Sequence, residues 1–140
     1  MYKKTINYTD FNGVDRKEDF YFNFMKAELV EMNMSTGGGL KSFIERITNT
    51  QDQIELVKLF KELVLKAYGV KSDDGKRFIK SQELRDAFEQ TNAYSELFML
   101  LATNENEASK FINGIMPADV LADAQKDVKS LPGASTTPLA

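Results

Sequence analysis

The chain has 140 residues, 42% of them apolar and 11% aromatic, enough for one compact domain with a core of its own. Its 18 basic and 21 acidic residues give a net charge of −3, so the molecule as a whole offers no electrostatic footprint for nucleic acid or an anionic membrane. With neither Cys nor His, it lacks thiol nucleophiles, imidazole bases, zinc sites built on those residues, and the Ser/His/Asp and Cys/His triads.

Residues 3–24 alternate with a period near two: Ile6 and Tyr8 lead into Asn12-Gly13, and Val14, Phe20, Phe22 and Phe24 share one parity. Asn-Gly favours a type I′ turn because both positions tolerate positive φ, so a β-hairpin is expected. After Phe24 the period becomes helical. Met25, Leu29 and Met32 stand at i, i+4 and i+7, and Gly37-Gly38-Gly39 stops the segment. A short helix is expected over 40–48, with Phe43, Ile44 and Ile47 on one side. A stronger one is expected over 52–68, striped by Ile54, Val57, Phe60, Leu63, Val64 and Ala67, with Gly69 at the C′ position. Residues 71–80 read as a polar loop around Asp73-Asp74-Gly75. Helices over 82–90 and 93–102 follow, Ser81 being an N-cap candidate. Asn104 and Glu107 open a further helix, closed by Gly114 and Pro117. Val120, Leu121, Ala124 and Val128 give a weakly amphipathic segment over 118–129, and residues 130–140 have the Pro, Gly, Ser and Thr content of an unpacked tail. The fold expected is α+β: a hairpin over 1–24 against a mainly helical bundle over 25–117, together one globular domain. Neither end reads as a targeting signal, and a cytoplasmic chain is expected.

Sites for chemistry are sparse. Aligning Gly75 with the invariant sixth position of an EF-hand puts Val70 first and Ser81 twelfth, so the first ligand and the bidentate Glu are both missing. A polar turn with a solvated basic rim of Lys71, Lys76, Arg77 and Lys80 is the simpler reading. Gly37-Gly38-Gly39-Leu40-Lys41-Ser42 fails as a phosphate loop because Leu40 separates Gly from Lys-Ser and a helix, not a strand, precedes it. The pairs Glu28/Glu31 and Glu105/Glu107 sit where solvated helix faces are expected, so no enzyme activity, metal or cofactor is predicted. Two apolar features remain. Leu97-Phe98-Met99-Leu100-Leu101 covers every side of its helix, and Met25, Met32, Met34, Met99 and Met116 supply unbranched thioethers that either fill core gaps or adapt to varied apolar partners.

Three stretches carry a resemblance: NGVDRKEDFYFNFMKAELVEMNMSTGGGL (12–40), FKELVLKAYGVKSDDGKRFIKSQELRDAFEQTNAYSELFMLL (60–101) and ASKFINGIMP (108–117). Together they resemble the tail assembly chaperones of long-tailed phages and prophages, particularly those of Gram-positive hosts. The resemblance implies a protein of the host cytoplasm that binds the long helical tape measure protein, keeps it soluble and helps the major tail protein polymerise around it. It also implies a longer form made by ribosomal frameshifting, and further copies of the chain as candidate partners. Met25, Leu29, Met32, Met34, Phe98 and Met99 are the candidate contact residues. The competing expectation is a minor structural protein retained in the virion, its 130–140 tail ordered by neighbouring subunits.

Overall fold

Alternation in the first 24 residues builds the hairpin that organises everything else. In the computed structural model, which describes residues 1–35, 42, 45–47 and 49–117 (of 33–35 the backbone only), β1 (Tyr2–Thr9) pairs antiparallel with β2 (Asp15–Phe22) in the register Tyr2↔Phe22 to Thr9↔Asp15. The connection is not the expected type I′ turn. Gly13 has φ +80° while Asn12 does not reach positive φ, and Gly13 N–H donates to Asp10 O at 3.0 Å. These features belong to a three-residue loop with a type I turn and a glycine bulge. Asp10 decides it: its Oδ1 accepts from the N–H groups of Asn12 (2.9 Å) and Val14 (3.0 Å), and its Oδ2 accepts from Arg16 Nε at 2.6 Å. These donors hold the Asp10 carboxyl below its ordinary pKa, the Arg16 guanidinium contributing most.

Helices α1 (Lys26–Ser35) and α2 (Gln53–Ala67) come next in the chain, with helical residues between them at 42, 45–47 and 49. Ile47 joins the core, whereas Phe43, Ile44 and the glycine run at 37–39 lie outside the described residues. Asp52 caps α2, accepting from Ile54 N at 3.0 Å. The expected stripe of α2 holds from Phe60 to Ala67, with Leu63, Val64 and Ala67 buried and Phe60 partly so, and fails at its start, where Leu59 is buried and Leu56 partly so while Ile54 and Val57 face outward. The helix is apolar on more than one side, and packing rather than composition selects the face.

At Tyr68 the helix passes directly into β3 (Tyr68–Lys71), which pairs with β2 at Tyr21↔Gly69 and Phe22↔Tyr68 and with β4 (Phe78–Ile79) on its other side. The sheet order is therefore β1-β2-β3-β4, and the expected loop over 71–80 contains part of a second, shorter hairpin. Gly69 stands at the C′ position after the C-cap Tyr68, but as a strand residue without the positive φ of a left-handed C′ glycine. A Cβ there would lie 2.6 Å from Phe78 Cε2, so the missing side chain admits the Phe78 ring across the strand pair. Within the turn, Asp74 Oδ1 accepts from Ser72 Oγ (2.7 Å) and Lys76 N (3.0 Å), and Gly75 takes φ +73°.

The remaining helices follow their sequence signals. They are α3 (Gln82–Glu89), α4 (Asn92–Thr103) and α5 (Glu105–Ile115), capped by Ser81, Thr91 and Asn104, whose side-chain oxygens accept from Leu84, Tyr94 and Glu107 N–H. Gly114 lies inside α5, where its bare Cα lets Tyr2 approach; a Cβ would meet Tyr2 Cβ at 3.0 Å. Even-numbered residues of β1 and β2 face these helices. Phe22, fully buried, meets Phe111 edge-on at 5.4 Å and Phe88 at 5.8 Å, and Tyr68 stacks on Phe88 at 4.2 Å. Among the described residues no helix is long and apolar enough to cross a membrane. The segments expected over 118–129 and 130–140 lie outside the described residues.

Candidate partner-binding surface

The sequence-predicted contact residues occupy different environments. Leu29 is 4% exposed and sits in the core. Met32 is partly buried against that core, and Phe98 is half-buried beside Tyr94 with ring centroids 5.9 Å apart. Met25 and Met99 are the outward ones, at 50% and 56% exposed. The Met34 side chain lies outside the described residues. The all-apolar turn of α4 divides accordingly: Leu97 and Leu101 point inward, Phe98 and Leu100 lie half-buried, and Met99 projects into solvent.

Met25 is part of a larger feature that the sequence did not reveal. It lines an open depression of about 700 Å³ together with Met1, Phe24, Gly114, Met116 and Pro117, with Asn23, Lys26 and Asn113 at the polar side. Three methionines separated by up to 115 positions thus converge where the start of β1, the β2–α1 junction and the end of α5 meet. Met116 was visible as a methionine in the sequence, but only the fold places it beside Met25. A concave apolar surface with adaptable thioethers suits contact with an apolar polypeptide face of varying shape.

The wall of this depression is held by an ionic node. Lys80, following β4, is expected from sequence on a solvated basic rim, yet its side chain is only 11% exposed. Its ammonium donates to Asn23 O (2.7 Å), Glu28 Oε2 (2.7 Å) and Lys66 O (2.9 Å), which engages all three of its protons. The Phe24 ring centroid lies 4.5 Å from the same nitrogen. Glu28 likewise departs from the expected solvated face: its other oxygen accepts Met25 N–H at 2.9 Å and so caps α1. Phe24 N–H donates to Ile115 O at 2.8 Å, joining the same junction to the end of α5. Burial lowers the Lys80 pKa, and the hydrogen bond and charge of Glu28 oppose that shift.

Other apolar surfaces are open as well. A groove of about 420 Å³ runs between α1, α2 and α3, lined by Phe24, Glu28, Glu31, Met32, Lys66, Gln82 and Arg85. Val30, Ile54 and Val57 add exposed apolar side chains on α1 and α2. Among the described residues no cluster of three or more Asp or Glu side chains is arranged to hold a metal ion.

No curated protein and no solved structure matches the chain. A sequence model of phage tail assembly chaperones does match, over residues 1–139, and the chain therefore belongs to the phage tail assembly chaperone family.

Proposed function

We propose that this chaperone binds the tape measure protein of a long-tailed phage in the host cytoplasm, keeps its apolar helical faces from aggregating, and yields them to the major tail protein as the tube polymerises. The observation that carries the reading is the methionine-lined depression around Met25, a concave, mainly apolar surface left open on a net-acidic molecule. A long helical client with unpaired apolar stripes would aggregate. Covering those stripes with acidic bodies lowers exposed apolar area and keeps the complexes apart by charge repulsion. Many weak contacts along one client act together through effective concentration, and each stays weak enough for a tail subunit to displace.

Met25 and Met99 are the proposed client contacts of the predicted set, with Met32, Phe98 and Met34 as flanking candidates; Met1 extends the surface around Met25, and Met116, 5% exposed, backs it from the core. Leu29 supports α1 from below. Phages of Gram-positive hosts, and a frameshifted longer form sharing this domain, belong to the same proposal. A photo-crosslinking residue placed at position 25 tests it during co-expression with the tape measure protein. Crosslinks to that client from position 25, and none from position 74 in the β3–β4 turn, are expected; equal labelling from both positions would remove the assignment.

A further inference from the structure

Among the described residues the hairpin leaves two strand edges open, and they are not alike. Asp10 N–H donates to Val14 O, which fixes the alternation of hydrogen-bonded pairs along β1 and β2. Even-numbered residues of β1 then bond to β2, and the N–H and C=O of Lys3, Thr5 and Asn7 point away from the sheet, along the outer edge of the terminal strand. The next outward carbonyl, Thr9 O, is taken by Asn92 Nδ2 at 2.9 Å, so the open stretch runs from residue 3 to residue 7. On the other side, β2 pairs with β3 only at Tyr21 and Phe22. Before that point β2 and β3 diverge around a cavity of about 350 Å³ lined by Glu18, Asp19, Phe20, Tyr21, Val70 and Lys71. The backbone groups of Asp15, Lys17 and Asp19 therefore form a second open edge over residues 15–19. Among the described residues neither stretch is paired with a further strand.

We infer that these edges join copies of this chain head to tail, β1 of one copy adding as an antiparallel strand to β2 of the next. Charge selects this pairing. The β1 stretch carries Lys3 and Lys4, a charge of +2, whereas the β2 stretch carries Asp15, Glu18 and Asp19 against Arg16 and Lys17, a charge of 2 − 3 = −1. The register must also match outward backbone groups with outward backbone groups, which admits only odd residues opposite odd. With Lys3 opposite the next copy's Asp19, Lys4 falls opposite Glu18, Thr5 opposite Lys17 and Asn7 opposite Asp15, giving two cross-strand pairs of opposite charge. Sliding by two residues in one direction sets Lys3 against Lys17 and Lys4 against Arg16, and in the other it removes both lysines from the acidic side chains. Pairing β2 with itself about its centre would gain two Arg16–Glu18 pairs but oppose Lys17 to Lys17 once and Asp15 to Asp19 twice, leaving repulsion in excess.

The lysines deter indiscriminate pairing with other edges while matching this one. Their present partners are loose, Lys3–Asp19 and Lys4–Glu107 both being 3.6 Å apart, so little is lost when they exchange. A heterologous contact of this kind closes into rings or continues as a helical array. The inference rests on the strand edges and stands apart from the client reading.

Sedimentation velocity on the full chain tests it with two proline variants, Thr5→Pro and Lys17→Pro. Each removes an outward N–H that makes no ladder bond, and Thr5→Pro also gives up the exposed Thr5 Oγ1–Asp19 Oδ1 hydrogen bond of 2.6 Å, so both are expected to keep the wild-type circular dichroism and Lys17→Pro to melt near wild type. Wild type is expected to form species larger than a dimer as concentration rises, fewer of them at high salt. Each variant alone is expected to stay monomeric, and an equimolar mixture to stop at a one-to-one dimer, because one variant keeps the acidic edge and the other the basic edge. A monomeric wild type at every concentration would overturn the inference. So would wild-type association by Lys17→Pro, which would mean β1 pairs with itself. If either proline lowers the melting temperature, charge reversal replaces it: Lys3→Glu with Lys4→Glu in one chain and Glu18→Lys with Asp19→Lys in another. Each alone should associate about tenfold more weakly, and mixing should restore assembly; no restoration refutes the pairing.

Discussion

Replacing Lys80 with Met is the sharpest test of how the candidate surface is held in place. Methionine matches the length of the lysine stem and removes only the ammonium, leaving Asn23 O, Lys66 O and Glu28 Oε2 without their donor in a place where the lysine side chain is 11% and the glutamate 23% exposed. Each abandoned acceptor costs about 1–3 kcal/mol when fully buried. Removing the ammonium also relieves its own desolvation, the cause of its lowered pKa, and returns part of that cost. The balance is a loss of about 2–3 kcal/mol, which in a chain of this size lowers the melting temperature by about 5–10 °C. Thermal denaturation followed by circular dichroism measures it. Combining the change with Glu28→Gln should cost less than the two separately, since they break one shared contact. A Lys80→Met protein that melts at or above wild type would refute the reasoning, because the junction would then be held by packing alone and the ammonium would be a net burden.

Alkaline pH should act through Tyr94, whose pKa is pushed up to about 12, first by burial and then by the Glu89 charge. Its folded-state pKa lies above the unfolded value, so its contribution is complete below pH 10 and is lost as pH rises towards 12. Tyr94→Phe should shrink that loss in denaturant titrations at pH 8 to 11.5; an unchanged pH profile would contradict the assignment. Lys80 acts in the opposite sense. Its lowered pKa lets stability rise with pH up to the unfolded lysine value, so Lys80→Met should steepen the alkaline decline. Gly69→Ala should destabilise by about 1–3 kcal/mol, because its Cβ would press on the Phe78 ring and approach Ile79 O at 3.0 Å. The penalty should fall in a Phe78→Ala background, as chemical denaturation would show; an equal penalty there would mean the ring is not the obstacle.

Much of the architecture could be read from local signals because those signals are local in cause. The shared parity of Phe20, Phe22 and Phe24 records one sheet face, and Ser81, Asp52 and Asn104 cap helices because their side chains reach N–H groups two or three residues away. The β3–β4 hairpin was hidden because strands of four and two residues are too short to show alternation. The type I′ expectation failed at Asp10, whose carboxylate organises a longer loop. Lys80 could not be separated from its solvated neighbours, since its partners lie 57, 52 and 14 residues away in the chain. The methionine depression is non-local for the same reason: composition supplied Met25 and Met116, and only the meeting of the chain start with the end of α5 makes them one surface. In the first turns of α2, tertiary packing took Leu56 and Leu59 inward in place of Ile54 and Val57, while the rest of the expected stripe packs as read.

The account turns on shielding of a tail protein by the surface around Met25. Co-expression with the tape measure protein of the same phage measures this directly, as the fraction of that client left soluble with no chaperone, with wild type and with Met25→Glu. Wild type is predicted to raise the soluble fraction several-fold, and Met25→Glu, half-exposed and therefore free to carry a charge without unfolding the chain, to remove most of that gain. Equal precipitation of the client with and without the wild-type protein would contradict the account.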